Sequence, residues 1–350
     1  MCIRDRYKTM KWFKWILSPL SLIFWFITEI RNQLYDFGIL KEKKFNIPII
    51  GIGNITVGGT GKTPHTEYIA KILKDKYKIA LLSKGYRRKT QNFKYVHIHS
   101  KSLDVGDEAL QTKKNLPYQV VAVDHQRVNG VQKILNEHQK TQVIILDDAF
   151  QHRSLKIGYS ILLCDFNNPF YEDYLIPLGK LRESRGGLNR ADCIIVTKCP
   201  IDLKKEEAEK ITKKIHFKDI YFSTFKYQKV ISVKNPKITF NLKNKSIIMV
   251  TGIANSNSLL KYLKQLNVET KHLKYPDHHN YNISDIKKII TVFKSDNKSE
   301  IILTTEKDAQ KLNEYDELSS FPLYYLKVTV DFLWNKDKFD KKIMDYVKSN

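Results

Sequence analysis

The chain has 350 residues, 42% of them hydrophobic and 28% charged, which is enough for two domains with cores of their own and excludes a disordered chain. Its four cysteines, Cys2, Cys164, Cys193 and Cys199, form no C-x-x-C pair and no zinc-type spacing, which excludes a disulfide scaffold and fits a reducing compartment. A net charge of +23 favours polyanionic partners (nucleic acid, anionic lipid or phosphorylated substrates) without choosing among them.

Residues 1–9 have no apolar period and read as a non-native prefix, with Met10 the natural start. Residues 15–27 are strongly apolar and rich in tryptophan, preceded by Lys11 and Lys14 and followed by Arg31. The run is shorter than the ~20 residues a spanning helix needs. Three readings fit it. Aromatic residues flanked by lysines put an interfacial helix first, a buried core helix next and a single span third. Residues 31–46 are polar and basic and read as a link to the first strand.

Residues 49–63 run from β-branched residues into glycines and end in Gly61-Lys62-Thr63, the order of a buried strand, a tight loop and a helix start. Backbone N–H groups from Thr56, Val57, Gly58, Gly59, Thr60 and Gly61 suit phosphate oxygens. Lys62 suits the terminal phosphates, and the Thr63 hydroxyl suits Mg²⁺. The strict phosphate-loop pattern has glycine at position 56, where this chain has threonine. A helix at 66–75 and strands near 77–82, 118–123, 142–146, 160–164 and 193–197 follow. They alternate with helices, as in a mostly parallel α/β sheet with both faces covered.

Residues of chemical interest lie at the carboxyl ends of these strands, where such sheets bind ligands. The run 143–146 ends in Asp147 and Asp148, an acid pair suited to Mg²⁺ downstream of a Gly-Lys-Thr loop. Asp107 and Glu108 open a helix, where the plain reading is interaction with the helix dipole. Lys180 and Arg182 stand in a cationic, glycine-rich loop and are candidate phosphate clamps, with a flexible surface loop as the alternative. A second α/β unit starts near 247, after a boundary placed between 225 and 245. It carries Asp277, His278 and His279, either a polar turn or a carboxylate-oriented histidine for proton transfer. The division expected is 10–46 helix and linker, 47–230 phosphate-loop domain and 231–350 smaller domain.

Taken in order, these motifs resemble the tetraacyldisaccharide 4'-kinases, the lipid A 4'-kinases. They are GNITVGGTGKTP (53–64), SKGY (83–86), GDE (106–108), DDAFQH (147–152), PLGKLRE (177–183), NRAD (189–192), TGI (251–253), PDHH (276–279) and TEKD (305–308). Ala149, Ser184 and Lys84 depart from the glycine, proline and arginine usual there, and Thr56 is the family's own variant. The resemblance implies a P-loop NTPase-like fold with a smaller α/β domain joined by a β-ribbon. It implies transfer of the γ-phosphate of ATP, with Mg²⁺, to the 4'-hydroxyl of a tetraacylated disaccharide 1-phosphate, giving lipid IV-A. Asp107 becomes the candidate general base, His278 its partner and Lys62 the phosphate lysine. Thr63, Glu108, Asp147 and Asp148 become the Mg²⁺ environment, and the two domains close before chemistry.

The implied setting is the cytoplasmic face of an anionic inner membrane. The protein would be a monomer that binds a phosphorylated glycolipid and no nucleic acid. Two rivals are a soluble P-loop kinase of a small metabolite and a nucleotide-switch NTPase. Val57 counts against the second, because such switches carry lysine there.

Overall fold

The computed structural model describes residues 11–350, so the expected prefix lies outside the described residues. Helix α1 (Lys11–Asp36) is followed by β1 (Ile49–Gly53), α2 (Lys62–Leu73), β2 (Ile79–Ser83), β3 (Lys94–Tyr95), the single turn α3 (Ser102–Val105), α4 (Asp107–Asn115) and β4 (Val120–Val123). Next come α5 (Arg127–Glu137), β5 (Val143–Asp147), β6 (Tyr159–Asp165), β7 (Cys193–Thr197), α6 (Lys205–Ile215) and β8 (Ile220–Ser232). The remainder is β9 (Thr239–Phe240), β10 (Ser246–Thr251), α7 (Asn257–Gln265), β11 (Glu269–Lys274), α8 (Ile283–Ser295), β12 (Ile301–Thr305), α9 (Glu306–Leu312), β13 (Leu323–Phe332) and α10 (Lys336–Lys348).

The elements form two compact units, both discontinuous. One holds the chain up to Ile79, Val131–Thr224 and Asp331–Asn350; the other holds Ala80–Gly130 and Phe225–Val330. A single cut near residue 230 therefore does not describe the fold. Helix α10 belongs to the first unit because Phe339 and Ile343 are fully buried there and the Tyr68 hydroxyl donates to Asp340 at 2.7 Å. Helices α3 and α4 belong to the second. There Glu314 accepts from the Ser102 backbone N–H at 2.7 Å, and Lys327 donates to Asn115 at 2.7 Å. Residues 220–232 form the continuous β8, within which the chain leaves the first unit.

In the first unit the strands run β8-β7-β6-β1-β5, with parallel pairing throughout. All five residues of β1 are buried, as expected of a strand covered on both faces. Its neighbours β5 and β6 both come later in the chain. The loop leaving β1 thus stands at the point where the strand order reverses, where open α/β sheets bind ligands.

In the second unit β10 lies between β11 and β12, parallel to both. Alternation sends Ile247 and Met249 to one face with Leu259 and Leu263 of α7, and Ile248 and Val250 to the other with Ile286 and Ile289 of α8. Strand β8 pairs with β9, and its end meets β13, Val233 N–H donating to Leu323 C=O at 3.0 Å.

Helix α1 runs on through 31–36, part of the segment read as a link. Its docked side mixes buried Ser21 and Asn32 with half-buried Leu17, Phe24 and Tyr35. The Ser21 hydroxyl donates to Leu175 C=O and accepts from Leu178 N–H, and Asn32 is buried. Its other side exposes Leu22, Ile23, Phe26 and Ile27, each more than half accessible. That orientation is the reverse of a core helix, so the buried-core reading fails. Among the described residues no helix is long and apolar enough to cross a membrane.

Candidate active site

The loop after β1 is built by close approach and by left-handed backbone. A side chain at Gly53 would meet Phe150 at 2.6 Å, so only glycine lets the strand end sit against the 147–152 turn. Gly61 caps α2 at φ 91°, a conformation that a Cβ disfavours. Thr56 forms a β-bridge with Leu181, a role a β-branched residue suits and glycine would not improve. Around that bridge, Val57 N–H donates to Lys180 C=O and Arg182 N–H donates to Ile55 C=O, both at 2.7 Å. Lys180 thus meets the loop through its backbone, while its side chain is exposed.

The far side of the loop is held by Lys198, which bonds Gly59 C=O and Asp165, and by Thr197, whose hydroxyl donates to Thr60 C=O at 2.8 Å. His65 lies beneath. Burial pushes its value down to about 4, so the ring is neutral near pH 7. Its Nδ1–H donates to Gly61 C=O at 2.7 Å, leaving Nε2 to accept from Ser223 at 2.9 Å.

The acid pair closes the same site. The Thr63 hydroxyl donates to Asp147 at 2.9 Å. Asp148, at φ 50°, lies 3.7 Å from Lys62 Nζ and 3.2 Å from Arg182. Lys62 also reaches Asn54 Oδ1 at 3.4 Å. A hydroxyl and two carboxylates at a lysine-bearing helix start are hard oxygen donors of the kind Mg²⁺ takes, so this set fits the ion. Arg182 also donates to Gln151 Oε1 at 3.3 Å, and Gln151 Nε2 donates to Asn54 C=O at 2.8 Å.

The second unit assembles the other predicted group. Asp107 and His278, 171 residues apart, meet at 3.2 Å through Oδ2 and Nδ1. Lys307 Nζ lies 2.7 Å from His278 Nε2; an ammonium only donates, so Nε2 accepts and the Nδ1 hydrogen points at Asp107. Lys311 adds a 2.9 Å ion pair to Asp107 Oδ2, and Glu108 N–H donates to Oδ1. Burial alone would raise the Asp107 value. The hydrogen bond from His278 and the charges of Lys307 and Lys311 outweigh burial and hold the carboxyl well below the usual range. Burial would likewise lower Lys307, but Glu108, Asp107 and Asp277 hold it raised. Glu108 pairs with Lys307 at 3.2 Å.

The loop bearing His278 is fixed from two sides. Arg87 donates to the carbonyls of Asp277 and His278, and the Tyr86 ring lies edge-on to His278 with centroids 4.8 Å apart. His279 is engaged elsewhere, with Asp285 at 2.8 Å and stacked on Tyr275. His278→Ala is therefore expected to lower turnover by at least ~10-fold, a general acid–base effect. His279→Ala is expected to act mainly on stability, by about 1–2 kcal/mol. Initial rates and urea unfolding of the two variants separate these effects, and the reverse order would move the role to His279.

Sequence reasoning did not single out Lys311, Gln151, Glu183 or Lys198. Lys311 was within reach, since Lys307 and Lys311 are one helical turn apart and share a face of α9. The contacts of Gln151, Glu183 and Lys198 are long-range, and no local pattern encodes them.

A lysine-threonine phosphate loop on the central strand of a parallel sheet, with an acid pair on its neighbour, defines a P-loop phosphotransferase. The family model described as tetraacyldisaccharide-1-P 4'-kinase matches residues 13–348. The tetraacyldisaccharide 4'-kinase of Flavobacterium psychrophilum is 42% identical over 347 residues, covering 97% of this chain and 99% of that protein. That of Bacteroides thetaiotaomicron is 41% identical over 96% of this chain and 94% of its own length. Among solved structures, "apo" form LpxK from Aquifex aeolicus in complex with ATP matches with a TM-score of 0.76 at 29% identity, covering 96% of this chain and 99% of that one. The chain belongs to the tetraacyldisaccharide-1-P 4'-kinase family.

Proposed function

We propose that this enzyme transfers the γ-phosphate of ATP to the 4'-hydroxyl of a tetraacyldisaccharide 1-phosphate, giving lipid IV-A. The observation that carries the reading is the Asp107–His278 pair, held by Lys307 and Lys311, in a chain that also bears the loop ending in Lys62 and Thr63. In the reaction the acceptor oxygen forms a bond to the γ-phosphorus, the bond to the β,γ-bridging oxygen breaks, and ADP leaves. Asp107 takes the hydroxyl proton. His278, through its Nδ1–H, keeps Oδ2 oriented as the carboxylate changes charge.

Backbone N–H groups of the 56–61 loop bind the phosphates, except that of Val57, which Lys180 C=O takes, and that of Thr60, which bonds Gly58 C=O; Lys62 neutralises charge that develops on the phosphates. Thr63, Asp147 and Asp148 would hold Mg²⁺, which neutralises phosphate charge when bound. Arg182 leaves Asp148 for a phosphate oxygen. Lys180 serves as a second cation for the substrate's phosphate, while Glu108, the other acid expected at the metal, is paired with Lys307 at 3.2 Å within the second unit.

The exposed apolar side of α1 supports seating in a lipid surface. Leu22, Ile23, Phe26 and Ile27 would enter the acyl boundary, and the excess of cations would attract anionic headgroups. On this reading the enzyme works as a monomer at the cytoplasmic face of the inner membrane, where its glycolipid substrate would lie. The test is incubation of the pure protein with Mg-ATP labelled at the γ position and the disaccharide 1-phosphate in detergent. Label is expected in the lipid product. ATP hydrolysis without a labelled lipid would overturn the reading in favour of a switch NTPase.

A further inference from the structure

One network in the first unit has no part in the chemistry just described. Glu183 is 3% exposed and carries a buried charge. Its Oε2 accepts from Arg190 at 2.5 Å and from Asn32 Nδ2 of α1 at 3.3 Å, and its Oε1 accepts from Gln151 Nε2 at 2.8 Å. Gln151 is the junction. Its amide nitrogen also donates to Asn54 C=O, at the root of the phosphate loop, and its amide oxygen accepts from Arg182, which pairs with Asp148. From α1 itself, Arg31 donates to Gln151 C=O at 2.9 Å. Asn54 C=O only accepts and Arg182 only donates, so one orientation of the Gln151 amide suits both, and Glu183, as a second acceptor for Nε2, holds the side chain in place between them. The orientation of Glu183 in turn depends on the donors on its other oxygen.

We infer that Asn32 is a positioning residue for phosphoryl transfer: through Glu183 it fixes Gln151, and through Gln151 the phosphate-loop root and Arg182. The inference rests on the kinase reading for its activity measurements. The role is separable from anchoring the helix. Anchoring is carried by the Asn32 backbone carbonyl, which accepts from Arg153 at 2.8 Å, by the Arg153–Asp36 and Arg153–Glu42 ion pairs, and by the Ser184–Glu29 and Ser21 bonds. None of these uses the Asn32 side chain. Asn32→Asp keeps the shape and replaces the donor with a carboxylate facing Glu183. Asn32→Leu removes the donor without adding charge.

The experiment measures both variants and the wild type in detergent, as full chains, with ATP and the lipid acceptor each varied to saturation. Hydrogen exchange is followed over residues 54–61 and 148–152. Expected are a fall in kcat of at least ~10-fold, the scale of a small misplacement of reacting groups, and a KM for the lipid within about twofold of wild type. Faster exchange in both peptides is expected in either variant. Unchanged kcat and exchange would overturn the inference, as would a loss confined to KM for the lipid, which would mark Asn32 as an anchor only. A wild type that transfers no phosphate would sink the kinase reading instead, and the exchange comparison would then decide the inference alone. If Asn32→Asp unfolds, Asn32→Leu carries the same test.

Discussion

Lys62→Ala is expected to lower kcat by ~10²–10³-fold, the cost of removing one preorganised charge from a phosphoryl-transfer site. Lys62 lies between two oxygen groups, Asn54 Oδ1 at 3.4 Å and Asp148 at 3.7 Å, whereas Lys198 on the far side of the loop is held by Gly59 C=O and Asp165. Arg182, paired with Asp148 before the nucleotide binds, has its own phosphate oxygen to meet in the proposed reaction and does not stand in for Lys62. The fold should survive, because the neighbouring contacts of α2, His65 with Gly61 and Thr63 with Asp147, do not involve residue 62. Steady-state rates with thermal unfolding check both halves. A rate within about threefold of wild type would remove Lys62 from the chemistry.

Asp107→Asn should cost ~10²–10⁴-fold in kcat, the range for loss of a general base. The amide keeps the shape, but it cannot take the hydroxyl proton, and it leaves Lys311 facing a neutral group. The pH dependence has a definite sign. The Asp107 value is depressed in the folded protein, so the carboxylate persists throughout the neutral range, and its base form is lost only as pH falls below the usual carboxylate range. The same depression contributes stability that is present above the unfolded value near 3.9 and is lost as pH falls through the folded value. The acid limb of kcat/KM is therefore expected below pH ~4 in wild type. An acid limb near pH 6 would assign the proton to another group.

The first strand and its loop were legible in the sequence because their causes are local. A β-branched run into glycines and Lys62-Thr63 reads as strand, turn and helix without tertiary knowledge. Strand β10 was legible for the same reason, as a short apolar run closed by Thr251 and Gly252. The second unit's site was half legible. His278 and Asp107 were nameable through the family resemblance, whereas the bonds of Lys307 and Lys311 to them arise from α9 packing beside α4, which no window of sequence contains. The unit boundaries failed for a related reason. Composition shifts mark linkers, and this chain changes unit inside three strands, β2, β8 and β13, and inside helix α5. In α1 the sequence displays an apolar stripe but does not say which side of the helix the protein takes. Ser21 and Asn32, weak helix formers by propensity, turn out to be the docking side.

The return of α10 to the first unit bears on the order in which the protein can be made. Ile49 opens the strand that carries the phosphate loop, and the hydroxyl of Tyr346 bonds to its carbonyl at 3.3 Å, 297 positions later. Phe339 packs with Phe332 and Tyr221 in the same unit. A ribosome extends the chain at about 5–20 residues per second, so the nucleotide-holding unit stays open for tens of seconds after its central strand has emerged. The enclosed segments 80–130 and 225–330 are complete before their host is. Closure of the unit that carries the Lys62 loop thus waits for residues 331–350, although the loop's signature stands at 53–64.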